Sequence, residues 1–186
     1  MPDIPKTFIP EDYLALIGGI VTEFNLLDQI LTLLLVEITG NDMLTMRDHV
    51  PFANMNFGVK KILLDLLIKT SDIQSGSPEE NYYSDIRIEL DGVAEDRNAV
   101  THSVWTTTDQ GKVIRKRFRA KRKIEMEEVE VSLQSLKDQL SRIESCRSKL
   151  ASIAFRLKFS KAAPHAGQKV KGSLSSALGK ALASDK

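Results

Sequence analysis

Cysteine is nearly absent from this chain: Cys146 is the single one among 186 residues. One cysteine closes no intramolecular disulfide, so a reducing, cytoplasmic setting is the simple expectation. Metal-ligand spacing is missing as well. His49, His102 and His165 are scattered, and no H-E-x-x-H or C-x-x-C occurs. Neither a metal nor metal-assisted catalysis is therefore expected. There is no G-x-x-x-x-G-K-[ST] loop, no G-x-G-x-x-G and no G-x-S-x-G. These absences argue against a phosphate-binding loop, a dinucleotide fold and a hydrolase elbow, so no cofactor is expected. Charge of one sign is not in excess: 26 Lys and Arg face 25 Asp and Glu, a formal net charge of +1. Only local clusters can then speak for nucleic acid. The start of the sequence, Met1-Pro2-Asp3-Ile4-Pro5, lacks the basic-then-apolar pattern of a signal peptide. No internal repeat is found.

Long apolar runs free of charge are missing too. The most apolar stretch, Tyr13 to Ile38, is interrupted by Glu23, Asn25, Asp28 and Glu37. Charges near the middle of a membrane span are costly, so the stretch reads as a buried helix of a bundle, with no membrane partner.

The composition that remains, 42% hydrophobic and 27% charged, is that of a soluble globular protein with a core. Pro10-Glu11-Asp12 suits a helix start, with acids at the positive end of the dipole. Leu14, Ile17, Val21, Phe24, Leu27, Leu31, Leu34 and Ile38 then recur at helical spacing, and Gly40-Asn41-Asp42 closes the run. Gly18-Gly19 inside it marks either a place where another helix packs close or a local irregularity, and close packing is the expectation. Residues 41–56, with Pro51 in their middle, read as irregular. A second helix fits Phe57 to Ile68, and a polar loop with Gly76 fits Ser71 to Pro78. A third helix opens at Pro78-Glu79-Glu80 and runs towards His102.

Ser103 to Thr108 is β-branched and aromatic, Asp109-Gln110-Gly111 is a turn, and Lys112 to Arg119 follows. The pattern predicts a β-hairpin. The last helix is expected from near Glu125 to about Leu157, on Val129, Leu133, Leu136, Leu140, Ile143, Leu150 and Leu157. The expected fold is mainly all-α: an up-and-down bundle of four main helices with a small β-hairpin between the third and fourth. The bundle should cover residues 1–159. Residues 160–186, rich in Lys, Ala, Gly and Ser, are expected to form a flexible C-terminal tail. Leu174, Leu178 and Leu182 in it suit a short helix that docks only on a partner.

At about 100° per residue, Asp91, Glu95, Asn98 and His102 share one face of the third helix. Ile86, Leu90, Val93, Val100 and Val104 form an apolar stripe, and Arg97 falls inside it. A cation there needs a carboxylate, a phosphate or an opening to solvent. A purely structural reading pairs Arg97 with Glu23 or Asp28 of the first helix and lets His102 bond a carbonyl at the helix end. A functional reading starts from the chemistry of RNA cleavage without metal. Histidine moves a proton near neutral pH, and arginine's planar fork holds charge on a phosphate. Asn98 then donates to phosphate or orients His102. On an ideal helix Arg97 and His102 stand about 140° apart. They converge only through a bend, a helix end or a dimer cleft.

Arg97-Asn98-x-x-x-His102 resembles the R-x4–6-H motif of the HEPN superfamily, with a polar residue directly after the arginine. Thr101-His102-Ser103-Val104-Trp105 resembles the His-small-x-Trp ending of many members. Glu89-Leu90-Asp91 resembles an acidic element found upstream of that arginine in some. Helix order over residues 10–157 is similar as well. The resemblance implies a homodimer with both Arg/His pairs in a shared cleft, acting as a metal-independent endoribonuclease of toxin–antitoxin or defence type. It also allows an inactive RNA-binding or interaction module. Arg97, Asn98 and His102 would be catalytic, Asp91 and Glu95 supporting, RNA the substrate and an antitoxin protein a possible partner.

Arg115-Lys116-Arg117-Phe118-Arg119-Ala120-Lys121-Arg122-Lys123 holds seven basic residues in nine. Arg115, Arg117 and Arg119 suit a phosphate-binding edge. They equally suit a solvated edge strand paired with the glutamates that follow. Cys146, near the apolar seam of the last helix, reads as a buried thiol rather than a nucleophile. Tyr82, Tyr83 and Trp105 read as core or interface.

Overall fold

The computed structural model describes residues 8–40, 46–70, 78–120 and 124–160. Among them are five helices and a three-stranded antiparallel sheet. The order is α1 (Glu11–Ile38), α2 (Met46–Ala53), α3 (Phe57–Thr70), α4 (Pro78–Thr101), β1 (Val104–Thr107), β2 (Val113–Ala120), β3 (Ile124–Glu130) and α5 (Leu133–Ser160). The chain is thus mainly helical, as its 3.6-residue periodicity predicts. The expected loop around Gly76 and the segment beyond 160, with Leu174, Leu178 and Leu182, lie outside the described residues.

α1 is the centre of the molecule: it packs most extensively along α5 and also touches α2, α3 and α4. Ile20, Phe24, Leu27, Leu31, Leu34 and Leu35 are buried on it. They meet Leu64 of α3, Ile86, Leu90 and Val93 of α4, and Leu136, Ile143, Cys146 and Leu150 of α5 in one core. Over its most apolar window α1 has a mean hydropathy of 1.5, long and apolar enough to cross a membrane. Its packing against four other helices covers the apolar residues on one side, while Leu14 and Leu26 stay exposed. The glycine pair is used on one side only. A Cβ on Gly19 would meet Leu140 of α5 at 3.4 Å, whereas Gly18 faces open space.

Two stretches depart from expectation. Residues 46–53 form a short helix rather than irregular chain, despite Pro51 within it. Proline forfeits one intrahelical bond, but Phe52 beside it is buried in the core and anchors the turn. The second departure is larger. Residues 124–130 are a strand, not the first turns of the final helix, and the hairpin becomes a meander ordered β1-β2-β3. β3 sets its glutamates against the basic β2: Lys116 opposite Glu128, Arg117 opposite Glu127, Arg119 opposite Glu125. Opposite charges on facing positions favour that pairing. α5 starts only at Leu133, where the Ser132 hydroxyl accepts the Ser135 N–H at 3.1 Å, an N-cap bond. The β1–β2 turn is where Gly111 placed it, with φ at +78°, a left-handed conformation suited to glycine.

Candidate functional site

The polar stripe of α4 lies where its spacing puts it. Asp91, Glu95 and His102 are exposed and Asn98 is half-buried. Arg97, one residue off the stripe, sits at the wall of a cleft of about 500 Å³ between α1, α3 and α4. The carboxylates expected to pair with it are taken by others. Asp28 accepts a hydrogen bond from Lys60 at 2.6 Å, and Glu23 forms an ion pair with Arg147 at 2.7 Å. The buried ammonium of Lys60, 1% exposed, has the stronger need for Asp28. Arg97 instead lays its guanidinium over the Phe24 ring, 5.5 Å from the centroid, a cation–π contact. An Nη–H of Arg97 donates to Asn98 Oδ1 at 3.0 Å, and its Nε is buried without a hydrogen-bond partner. No ion pair holds Arg97 among the described residues. The side chain therefore turns its charge from the apolar stripe towards the polar one.

His102 is not brought into that cleft. α4 does not bend at its end: the His102 N–H continues the helical pattern by donating to Asn98 C=O at 3.1 Å. His102 stands one turn beyond Asn98, where i,i+4 side chains are neighbours on a helix surface. In one chain, then, Asn98 lies between the guanidinium and the imidazole.

The helix end is tied down by side chains that serve its orphan carbonyls. The Thr101 hydroxyl donates to Arg97 C=O at 2.9 Å, and the Ser103 hydroxyl to Ala99 C=O at 2.6 Å. The Trp105 indole N–H donates to Val100 C=O at 3.0 Å. Trp105 also packs on the core. The residues around His102 thus fix where the helix stops and β1 begins.

The basic run is placed elsewhere. β2 is the central strand of the sheet rather than an edge, and Arg115 and Arg117 do not line the cleft. Lys116 bonds Glu128 at 3.1 Å. Arg115 lies close enough to Asp96 of α4 to act on its carboxyl. Burial pushes that carboxyl above the usual aspartate value, against the pull of Arg142.

Several cleft residues carried no functional reading in the sequence. Asn25 of α1, Lys61 of α3, and Met55, Asn56 and Phe57 at the α3 start all line it. Asn56 did carry a structural signal, since an asparagine before an apolar-periodic run is an N-cap. Its Oδ1 accepts the Val59 N–H at 2.9 Å. Lys61 pairs with Asp91 across the cleft mouth. Elsewhere Tyr83 is core, its hydroxyl donating to Asp65 at 2.7 Å. The Cys146 thiol is buried and pushed up to about 12 by that burial, which leaves it protonated and inert at neutral pH. Among the described residues no group of three or more His, Cys, Asp or Glu is placed to hold a metal ion.

Fold and site together define a mainly helical protein with an arginine-bearing cleft against its central helix. Comparison with protein-family models, with curated proteins and with solved structures finds no match to this chain.

Proposed function

We propose that this chain is a HEPN-like, metal-independent endoribonuclease that works as a homodimer, with the four long helices forming an up-and-down bundle. One observation carries the reading: Arg97 is held at a cleft by Phe24 and Asn98, with no carboxylate paired to it among the described residues. A fixed guanidinium with open donors is suited to charge developing on a scissile phosphate. Exposed His102, one turn from Asn98, is the proton carrier. Asn98 orients the guanidinium, and Asp91 and Glu95 line the same helix face. Because His102 stands outside its own chain's cleft, the working site pairs Arg97 of one protomer with His102 of the other. RNA is the substrate, the cytoplasm the setting and an antitoxin protein a possible partner.

The test uses purified protein, single-stranded RNA and a chelator. The wild type should cut, and His102→Ala should cut about 100- to 10,000-fold more slowly, the usual worth of a general acid or base. RNA left intact, or cut equally by an Arg97→Ala/His102→Ala variant, overturns the reading. The exposure of His102 away from the cleft favours one alternative, a non-catalytic RNA-binding or interaction module. That alternative predicts retention of RNA without cleavage.

A further inference from the structure

The cleft is larger than one phosphate requires. At about 500 Å³ it falls within the usual range of small-ligand pockets, roughly 300–1,000 Å³. Its lining is in two parts. Met55, Phe57 and Ala94 supply apolar surface, and three asparagines, Asn25, Asn56 and Asn98, stand around it. Unpaired RNA bases are recognised by this combination, a flat face against apolar or aromatic side chains and an edge against amides.

The hydrogen bonds already made inside the cleft decide what is left for a ligand. Asn98 Oδ1 is occupied by Arg97, and Asn56 Oδ1 by the Val59 N–H. Asp28 is held by Lys60, its remaining Oδ1 shut away from solvent, and Asp91 is held by Lys61. Each of these acceptors, Asn25 Oδ1 apart, thus already carries one donor. The open groups are mostly donors: the amide N–H groups of Asn25, Asn56 and Asn98, the guanidinium of Arg97 and the ammonium of Lys61. Asp91 is 63% exposed, so its pair with Lys61 is a weak one in water and yields readily to a phosphate. The matching ligand is a flat one rich in acceptors. Guanine places two acceptors, O6 and N7, side by side on one edge. Adenine and cytosine put an amino donor at the corresponding place. Uracil is a single ring and fills the space less.

We infer that the cleft is a nucleotide pocket that takes a guanosine nucleotide. The base lies against Phe57 and Met55 with its O6/N7 edge on the amide donors, and its phosphate meets Arg97 and Lys61. The inference rests on the RNA reading above for its ligand class. It places a guanosine of the strand in one protomer's cleft, and it deepens that reading by giving the site a base preference.

Binding of the four ribonucleoside 5′-monophosphates and of inorganic phosphate to the full chain, followed by titration calorimetry, tests it. GMP should bind at least about tenfold tighter than AMP, CMP, UMP or inorganic phosphate, a gap that one well-placed base contact supplies. Asn25→Trp, at an exposed helix position on the cleft wall, should weaken GMP binding at least about tenfold by filling the space, with melting unchanged. Lys61→Gln should weaken GMP and inorganic phosphate alike. Equal binding of AMP or UMP, binding of phosphate as tight as GMP, or GMP binding untouched by Asn25→Trp overturns the inference, as does no binding at all. GMP has no phosphodiester to cut, so the two proposals fail separately. RNA cleavage without GMP preference removes only the pocket, and GMP binding by a protein that leaves RNA intact removes only the ribonuclease.

Discussion

Asp96 is a partly buried carboxylate whose surroundings shift its titration. Burial raises its pKa, and Glu95 beside it adds to the rise, while Arg142 and Arg115 oppose it. A folded-state value above the ordinary 3.8 means that the fold favours the protonated form. That contribution is whole below the unfolded value and is lost as pH rises through the folded one. Asn cannot ionise, so Asp96→Asn should gain on the wild type with rising pH. The difference in Tm, variant minus wild type, should be more positive at about pH 7 than at about pH 3. A difference that shrinks over that range contradicts the burial account. Arg142, half-exposed, tolerates the loss of its partner. At Arg97 the need for compensation was legible in the sequence, because helical spacing alone puts it among apolar residues. Its actual compensation was not. Glu23 and Asp28 are close in the sequence to Phe24, yet Arg147 and Lys60 claim them, and the aromatic ring is left for Arg97.

Among elements, β3 shows how local signals mislead. Glu125, Glu127, Glu128 and Glu130 suit the first turn of a helix, and Val129 continues the apolar seam of α5 backward. The basic β2 outweighs both, because three of the four glutamates of a strand there face a cation in register instead of repelling one another along a helix face. The burial alternates with it: Glu127, Val129 and Val131 are the less exposed set, Met126, Glu128 and Glu130 the more exposed. Glu127→Lys/Glu128→Lys would set like charges against Arg117 and Lys116. At roughly 0.2–1 kcal/mol for each of the two facing pairs, the double reversal should cost about 0.4–2 kcal/mol, read as a lower urea midpoint. An unchanged midpoint would mean that charge does not hold β3 in place. The same pairing bears on the two readings of the basic run. Acids next to Lys116 and Arg117 reduce the field that a phosphate backbone would meet there, which favours the reading of the run as a charge-paired strand.

For the whole molecule, the separation of Arg97 from His102 within one chain yields a prediction about assembly. If each working site takes one residue from each protomer, mixing Arg97→Ala with His102→Ala chains should rebuild one intact site in every mixed dimer. Cleavage by the mixture should then exceed that of either variant alone by at least about tenfold, since an intact site recovers the general acid–base contribution. No recovery after exchange of subunits would place both residues of a site in the same chain. Helix periods, the turn at Gly111, the buried thiol and the polar stripe of α4 were set by the sequence itself. Each depends on spacing along a few turns of backbone or on the φ preference of one residue. The partner of Arg97, the strand in place of a helix start at 124–130, and the cleft that gathers Asn25, Asn56, Lys61 and Asn98 were decided only by tertiary structure. These depend on which distant segments come to lie side by side, and there several cations compete for the same few carboxylates.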